Sequence, residues 1–217
     1  MIEERVRFAL DKFLIPDYFA TPDIAYELIE HAHHGKSILK LNVGTLDNLC
    51  KQNYDTRPPR FSFIRTDDPY GIDKCVDHFV LRKCSDCWEL HMFEMKTTLG
   101  SWTWDGVRRQ MRASYLKIRA LAVFLGIELL DSNIFTYTTY ENVDFSIRQT
   151  TNPRAFLPSL GGRALDIENT EWLANCIYLP ITVSDETNEP QTFVKLSHQG
   201  IQMHRTKDGY LEGEFTL

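Results

Sequence analysis

Between positions 74 and 96, KCVDHFVLRKCSDCWELHMFEMK, side chains change character every second residue. Val76, His78 and Val80 alternate with Asp77, Phe79 and Leu81. After Cys84-Ser85-Asp86-Cys87, Leu90, Met92, Glu94 and Lys96 alternate with His91, Phe93 and Met95. A period of two predicts an apolar β-hairpin with its turn at 84–87. Elsewhere the period is longer. Ile2, Val6, Phe8, Leu10, Phe13 and Leu14 give residues 2–14 the apolar face of an amphipathic helix, halted at Pro16. A second helix is expected over residues 21–35, with Thr21 as N-cap, Pro22 at the first helical position and Gly35 at the end.

A long helix is expected over residues 105–124, ended by Gly126, with Val107, Met111, Ser114, Ile118, Leu121 and Leu125 as its buried stripe. Residues 37–43, 61–65 and 133–140 (NIFTYTTY) read as strands. From residue 150 the chain turns into a loop punctuated by proline and glycine. It then offers strands at 172–183 and 192–196, and a hairpin of 200–206 with 210–215 around Asp208-Gly209. The pattern divides into a core over residues 1–150 and a β-rich C-terminal extension over 151–217 packed on it. A dimer interface or a substrate clamp would both be consistent with that extension, so a homodimer stays open.

Glu94 and Lys96 must share one face of their strand, and Asp77 on the partner strand can lie opposite them. Carboxylates converging in an apolar hairpin repel one another and are costly to desolvate unless a cation sits between them. Hard oxygen ligands in small number suit Mg²⁺ or Mn²⁺ rather than zinc. The Lys96 ammonium could then orient a water and counter charge developing on a phosphate. Asp73, just before the strand, competes with Asp77 for the ligand role, and Asp67 and Asp68 keep the choice open.

Asp77 followed by Glu94-Met95-Lys96 at the end of the next strand resembles the signature of the PD-(D/E)xK nuclease superfamily, with Val76 where the proline is written. The resemblance implies an α/β (α+β) chain of the restriction-endonuclease-like kind, an α-β-β-β-α-β core with a mixed central sheet. The order of elements read from periodicity agrees with it. It further implies a Mg²⁺- or Mn²⁺-dependent phosphodiesterase, an endonuclease or exonuclease acting on nucleic acid, with DNA favoured over RNA. Asp77 and Glu94 would hold the metal, the Met95 carbonyl would complete the set, Lys96 would position the water and Gln110 on the following helix would assist. Members of the superfamily often carry a third acid on the helix before the sheet, which makes Glu27 or Glu30 a candidate ligand.

The long helix carries a second stripe, Arg108, Arg112, Tyr115 and Arg119, at spacings that place them side by side. Such a stripe could track phosphates and offer one stacking platform, or it could be an ordinary solvated face. Trp102 and Trp104 could stack on bases or cap the core. A non-catalytic nucleic-acid-binding or protein-interaction module on the same fold is the alternative function. With 43% hydrophobic residues in 217, the chain can bury a substantial core. A net charge of −6 offers no global basic field for nucleic acid. Acids where a secretory leader has bases, and no apolar run of spanning length, point to a cytoplasmic protein off the membrane. Five cysteines without a repeating framework fit free thiols, and Cys84-x-x-Cys87 is at most half of a zinc knuckle.

Overall fold

A computed structural model of the chain describes residues 2–32, 35–56, 72–145, 171–183 and 190–217. The expected strand at 61–65 and the expected loop from 150 lie outside these residues. The class is α+β: the helices α1 (Glu4–Phe13) and α2 (Ser101–Phe124) accompany, among the described residues, two larger β-sheets and one small one. No helix among the described residues is long and apolar enough to cross a membrane.

The hairpin forms where the alternation predicts it. Strands β4 (His78–Lys83) and β5 (Trp88–Met95) pair antiparallel from His78↔Phe93 to Lys83↔Trp88. Strand β3 (Asn48–Lys51) joins their free edge, antiparallel to β4. Helix α2 then carries the chain back, and β7 (Ile134–Tyr140) lies parallel to β5 on its other side. Gly126, at φ +69°, takes the left-handed conformation that stops α2 where expected. Two short strands, β6 (Thr98–Leu99) and β8 (Asn142–Val143), pair beside this crossover. The sheet continues with β10 (Pro190–Gln202), parallel to β7, and β9 (Cys176–Val183), antiparallel to β10. Its order is β3-β4-β5-β7-β10-β9.

The helix expected over residues 21–35 is instead strand β1 (Ala25–Ala32), paired in register with β2 (Gly35–Asn42). Thr21-Pro22 does not open a helix. The Asp23 carboxylate accepts from the Ile24 and Ala25 N–H groups at 2.6 and 3.5 Å and turns the chain into the strand. Tyr26 and Leu28 are buried while Glu27 is exposed, so packing follows a period of two. The buried Tyr26 hydroxyl donates to Asn48 at 2.6 Å. Non-local pairing overrides the local helix signal here. Strand β12 (Leu211–Thr216) runs parallel to β2, and β11 (His204–Arg205) pairs with β12 across the Asp208-Gly209 turn, where Gly209 has φ +86°. The second sheet is ordered β1-β2-β12-β11.

The expected C-terminal elements shift accordingly. Residues 171–173 are helical and the strand expected from 172 begins at Cys176. The strand expected at 192–196 grows into β10 and absorbs Gly200 to Gln202 from the expected hairpin. Strands from the last third of the chain thus enter both large sheets.

Three layers result. On one face of the six-stranded sheet, Val107, Met111, Ile118 and Ala122 of α2, with Val6 and Ala9 of α1, pack on Phe79, Leu81, Leu90 and Met92. On the other, Leu28, Leu39 and Leu41 of the second sheet pack on Val80, Phe93, Met95, Tyr137 and Ile201. Phe8 and Phe13, expected in the apolar face of α1, are instead exposed.

Candidate active site

Four carboxylates and one ammonium gather where β1, β3 and β5 end and β4 begins. Asp77 enters β4 with its carbonyl accepting the Tyr54 N–H at 2.7 Å, which ties the end of the β3 loop to it. Its side chain is 3% exposed, and its Oδ2 accepts the Met95 N–H at 2.6 Å. Glu94, on the α2 face of β5, is fully buried and pairs through Oε1 with Lys96 Nζ. The Lys96 backbone N–H donates to the Thr139 carbonyl at 3.2 Å, so β7 fixes the point from which the ammonium reaches back.

Glu30 arrives from the other sheet. It shares the inward parity of Tyr26 and Leu28, so it points toward the six-stranded sheet. Ligand oxygens of Glu30, Asp55 and Asp77 lie within 4.8 Å of one another. Two acid oxygens here are shut off from solvent without a hydrogen-bond partner among the described residues, Asp55 Oδ1 and Glu94 Oε2.

The electrostatics follow from burial and crowding. Burial, then Glu94, pushes the Asp77 carboxyl up to about 9. Burial also pushes Glu94 up to about 7, against the lowering pull of Lys96. Glu30 is raised by burial and by Asp55, and Asp55 is raised by burial. Burial works against the Lys96 ammonium, but Glu94 and Asp77 outweigh it and raise its pKa. One ammonium does not balance four carboxylates. The unpartnered acid oxygens and the hard donor set fit a divalent cation.

The other expected residues are placed as follows. The Gln110 amide lies beside Glu94, where it helps to lower that carboxyl's pKa, and donates to the Cys75 carbonyl at 3.2 Å. Met95 contributes its N–H to Asp77, while its side chain packs in the second core. Asp73 is exposed and stands outside the carboxylate group, its carbonyl accepting from Lys117 at 3.0 Å. Glu27 is exposed on the outer face of β1, while Asp67 and Asp68 lie outside the described residues.

The arginine stripe packs inward. Arg108 and Arg112 donate to the Tyr178 and Ile181 carbonyls of β9, each at 3.4 Å. Tyr115, 4% exposed, donates to Asp131 at 2.8 Å, and Arg119 holds the same carboxylate at 2.6 Å. A ring so buried cannot serve as a stacking platform for a base. Trp104 is buried, its indole N–H donating to Glu171 at 2.7 Å, while Trp102 is 71% exposed.

Asp55 is the site residue that the sequence pattern did not reveal. It follows β3, a four-residue strand too short to show alternation, and sits in what reads as a polar loop, DTRPPR. Its only signal is position, an acid just after a buried run and just before prolines.

The fold and site together define an α+β protein with a partly buried carboxylate cluster at the end of its central hairpin. Comparison of the chain with models of known protein families, with curated proteins and with solved structures finds no match.

Proposed function

We propose that the chain is a Mg²⁺- or Mn²⁺-dependent nuclease that hydrolyses phosphodiester bonds in DNA or RNA. The observation that carries this reading is the convergence of Glu30, Asp55 and Asp77 within 4.8 Å, beside the Glu94–Lys96 pair. The restriction-endonuclease-like reading draws support from the sequence of α1, the antiparallel run β3-β4-β5, the crossover α2 and the parallel strand β7. In it, β1 and β2 are an insertion whose own sheet brings Glu30 to the site.

Asp77, Glu94, Asp55 and Glu30 would hold the cation. A bound Mg²⁺ or Mn²⁺ would neutralise phosphate charge and make a coordinated water more acidic. Lys96 has the two functions a phosphodiesterase needs from a fixed ammonium: orienting the attacking water and countering charge on the phosphate oxygens. Gln110, on α2, lies beside Glu94 and favours its ionised form. The buried setting of Glu94 strengthens each of these interactions relative to water.

The test is incubation of the purified chain with labelled single- and double-stranded DNA and RNA, in Mg²⁺, Mn²⁺ or chelator, beside Glu94→Ala. Products that need the metal and vanish in the variant are expected. A folded protein that cleaves none of these substrates under any of the conditions overturns the proposal.

A further inference from the structure

The hairpin that carries the acid cluster at one end carries the chain's single Cys-x-x-Cys at the other. We propose that Cys84 and Cys87 are a redox-active pair that closes into a reversible intramolecular disulfide. The inference is independent of the nuclease reading.

Register supplies the geometry. The ladder runs through Arg82↔Glu89 to Lys83↔Trp88, and its next step sets Cys84 opposite Cys87. The Cys84 N–H donates to the Cys87 carbonyl at 2.9 Å and holds that step closed. Residues directly opposite on antiparallel strands have Cα atoms about 4.5–5.5 Å apart, inside the usual range for a disulfide of roughly 4.4–6.8 Å. Opposite residues also send their side chains to the same face, here the face of Arg82 and Glu89. The Cys84 thiol lies beside Glu89, and burial together with that carboxylate pushes its pKa up.

Access separates this pair from the other cysteines. Cys84 and Cys87 are partly exposed, whereas Cys50, Cys75 and Cys176 are buried. A zinc site needs further ligands, and the Glu89 carboxylate beside Cys84 is already engaged. Glu89 Oε2 accepts from Arg82 at 2.6 and 2.9 Å and meets His91 Nε2 at 3.2 Å. The one group of potential metal ligands among the described residues contains neither cysteine.

With a low-molecular-weight disulfide such as oxidised glutathione, the Cys87 thiolate attacks one glutathione sulfur. The S–S bond breaks, a mixed disulfide forms and one glutathione leaves as its thiolate. Cys84 then gives up its proton to solvent and attacks the Cys87 sulfur, expelling the second glutathione. The protein loses two protons and two electrons, and oxidised glutathione is reduced to two thiols.

The experiment treats the folded full chain with oxidised glutathione, blocks remaining thiols with an alkylating agent under denaturing conditions, and reads intact and peptide mass. Expected is a monomer lacking two hydrogens, with Cys84 and Cys87 both protected, the buried cysteines alkylated, and full reversal by dithiothreitol. Cys84→Ser and Cys87→Ser should each stop at one bound glutathione. Three results overturn the proposal: independent glutathione adducts on both cysteines of the native chain, disulfide-linked dimers as the main product, or two thiols left free. Zn²⁺ retained by the reduced chain with both thiols masked overturns it as well, in favour of a metal site.

Discussion

Replacing Asp77 with asparagine is expected to stabilise the metal-free protein. Burial, with Glu94 close by, lifts this carboxyl from 3.8 to about 9. An acid whose folded pKa lies above its unfolded value takes up a proton on folding. Its contribution is therefore most favourable below pH 3.8 and is lost progressively as pH rises toward 9. Neutral pH lies about three units above 3.8, and at ~1.4 kcal/mol per unit an ionisable Asp77 costs the fold roughly 4 kcal/mol at pH 7. Asparagine has the same shape, keeps an oxygen for the Met95 N–H and carries no charge. Urea denaturation in chelator should show the variant more stable at pH 7, with the difference shrinking toward zero near pH 4. For a chain of this size about 2–4 °C accompanies each kcal/mol, so the melting temperature should rise by roughly 10 °C. Mn²⁺ should narrow the gap, because a cation bound only by the native state adds ~2.7 kcal/mol at a hundredfold excess over Kd. A variant less stable than the native protein at both pH 4 and pH 7 would refute the reasoning. The hydrogen bond to Met95, and not the burial of charge, would then dominate at this position.

Other substitutions separate the remaining roles. Lys96→Met should lower cleavage by about 10²-fold or more while leaving a Mn²⁺-induced melting shift in place, because it removes the cation and no ligand; a lost shift would place Lys96 in the binding of the metal. Asp55→Asn should weaken Mn²⁺ binding by about tenfold, or ~1.4 kcal/mol, in a calorimetric titration, and an unchanged Kd would remove Asp55 from the ligand set. Phe79→Ala should cost about 3–5 kcal/mol in urea with an unchanged m value. Its ring is fully buried and meets Tyr54 edge-on at 4.9 Å and Phe19 at 6.0 Å. A loss below about 1 kcal/mol would mean that the site collapses around the deletion.

The hairpin was legible because both of its strands are buried on at least one face over their length, so alternation is written into the residues. Helix α2 was legible for the same reason at helical spacing, and Gly126 marked its end. The segment at 21–35 reads as a helix because Thr21-Pro22 and an apolar stripe satisfy the local rules for one. What decides against a helix is β2, which pairs with every residue of β1. Pairing partners are invisible to a local reading. The arginine stripe shows the same limit: Arg108, Arg112 and Tyr115 look solvent-facing until β9 and Asp131 are set against α2.

Glu30 shows how a site residue can be anticipated for the wrong local reason. On a helix, Glu27 and Glu30 lie three apart and share a face, so the pattern offers no choice between them. On a strand the same spacing sends them to opposite faces. Glu27 then stands opposite Lys40 on the outside of the second sheet. Glu30 follows Tyr26 and Leu28 inward, and at the end of the strand the apolar layer between the sheets stops at Asp55 and Asp77. An acid at that point is costly to the fold by itself, since burial and Asp55 both raise its pKa. Three acids are brought to one place from a strand of one sheet, a loop and a strand entry of the other, and at the buried Asp77 packing alone would favour an apolar residue. Their common feature is ligand oxygens within 4.8 Å of one another, and in the proposed reading a bound cation would convert that repulsion into coordination.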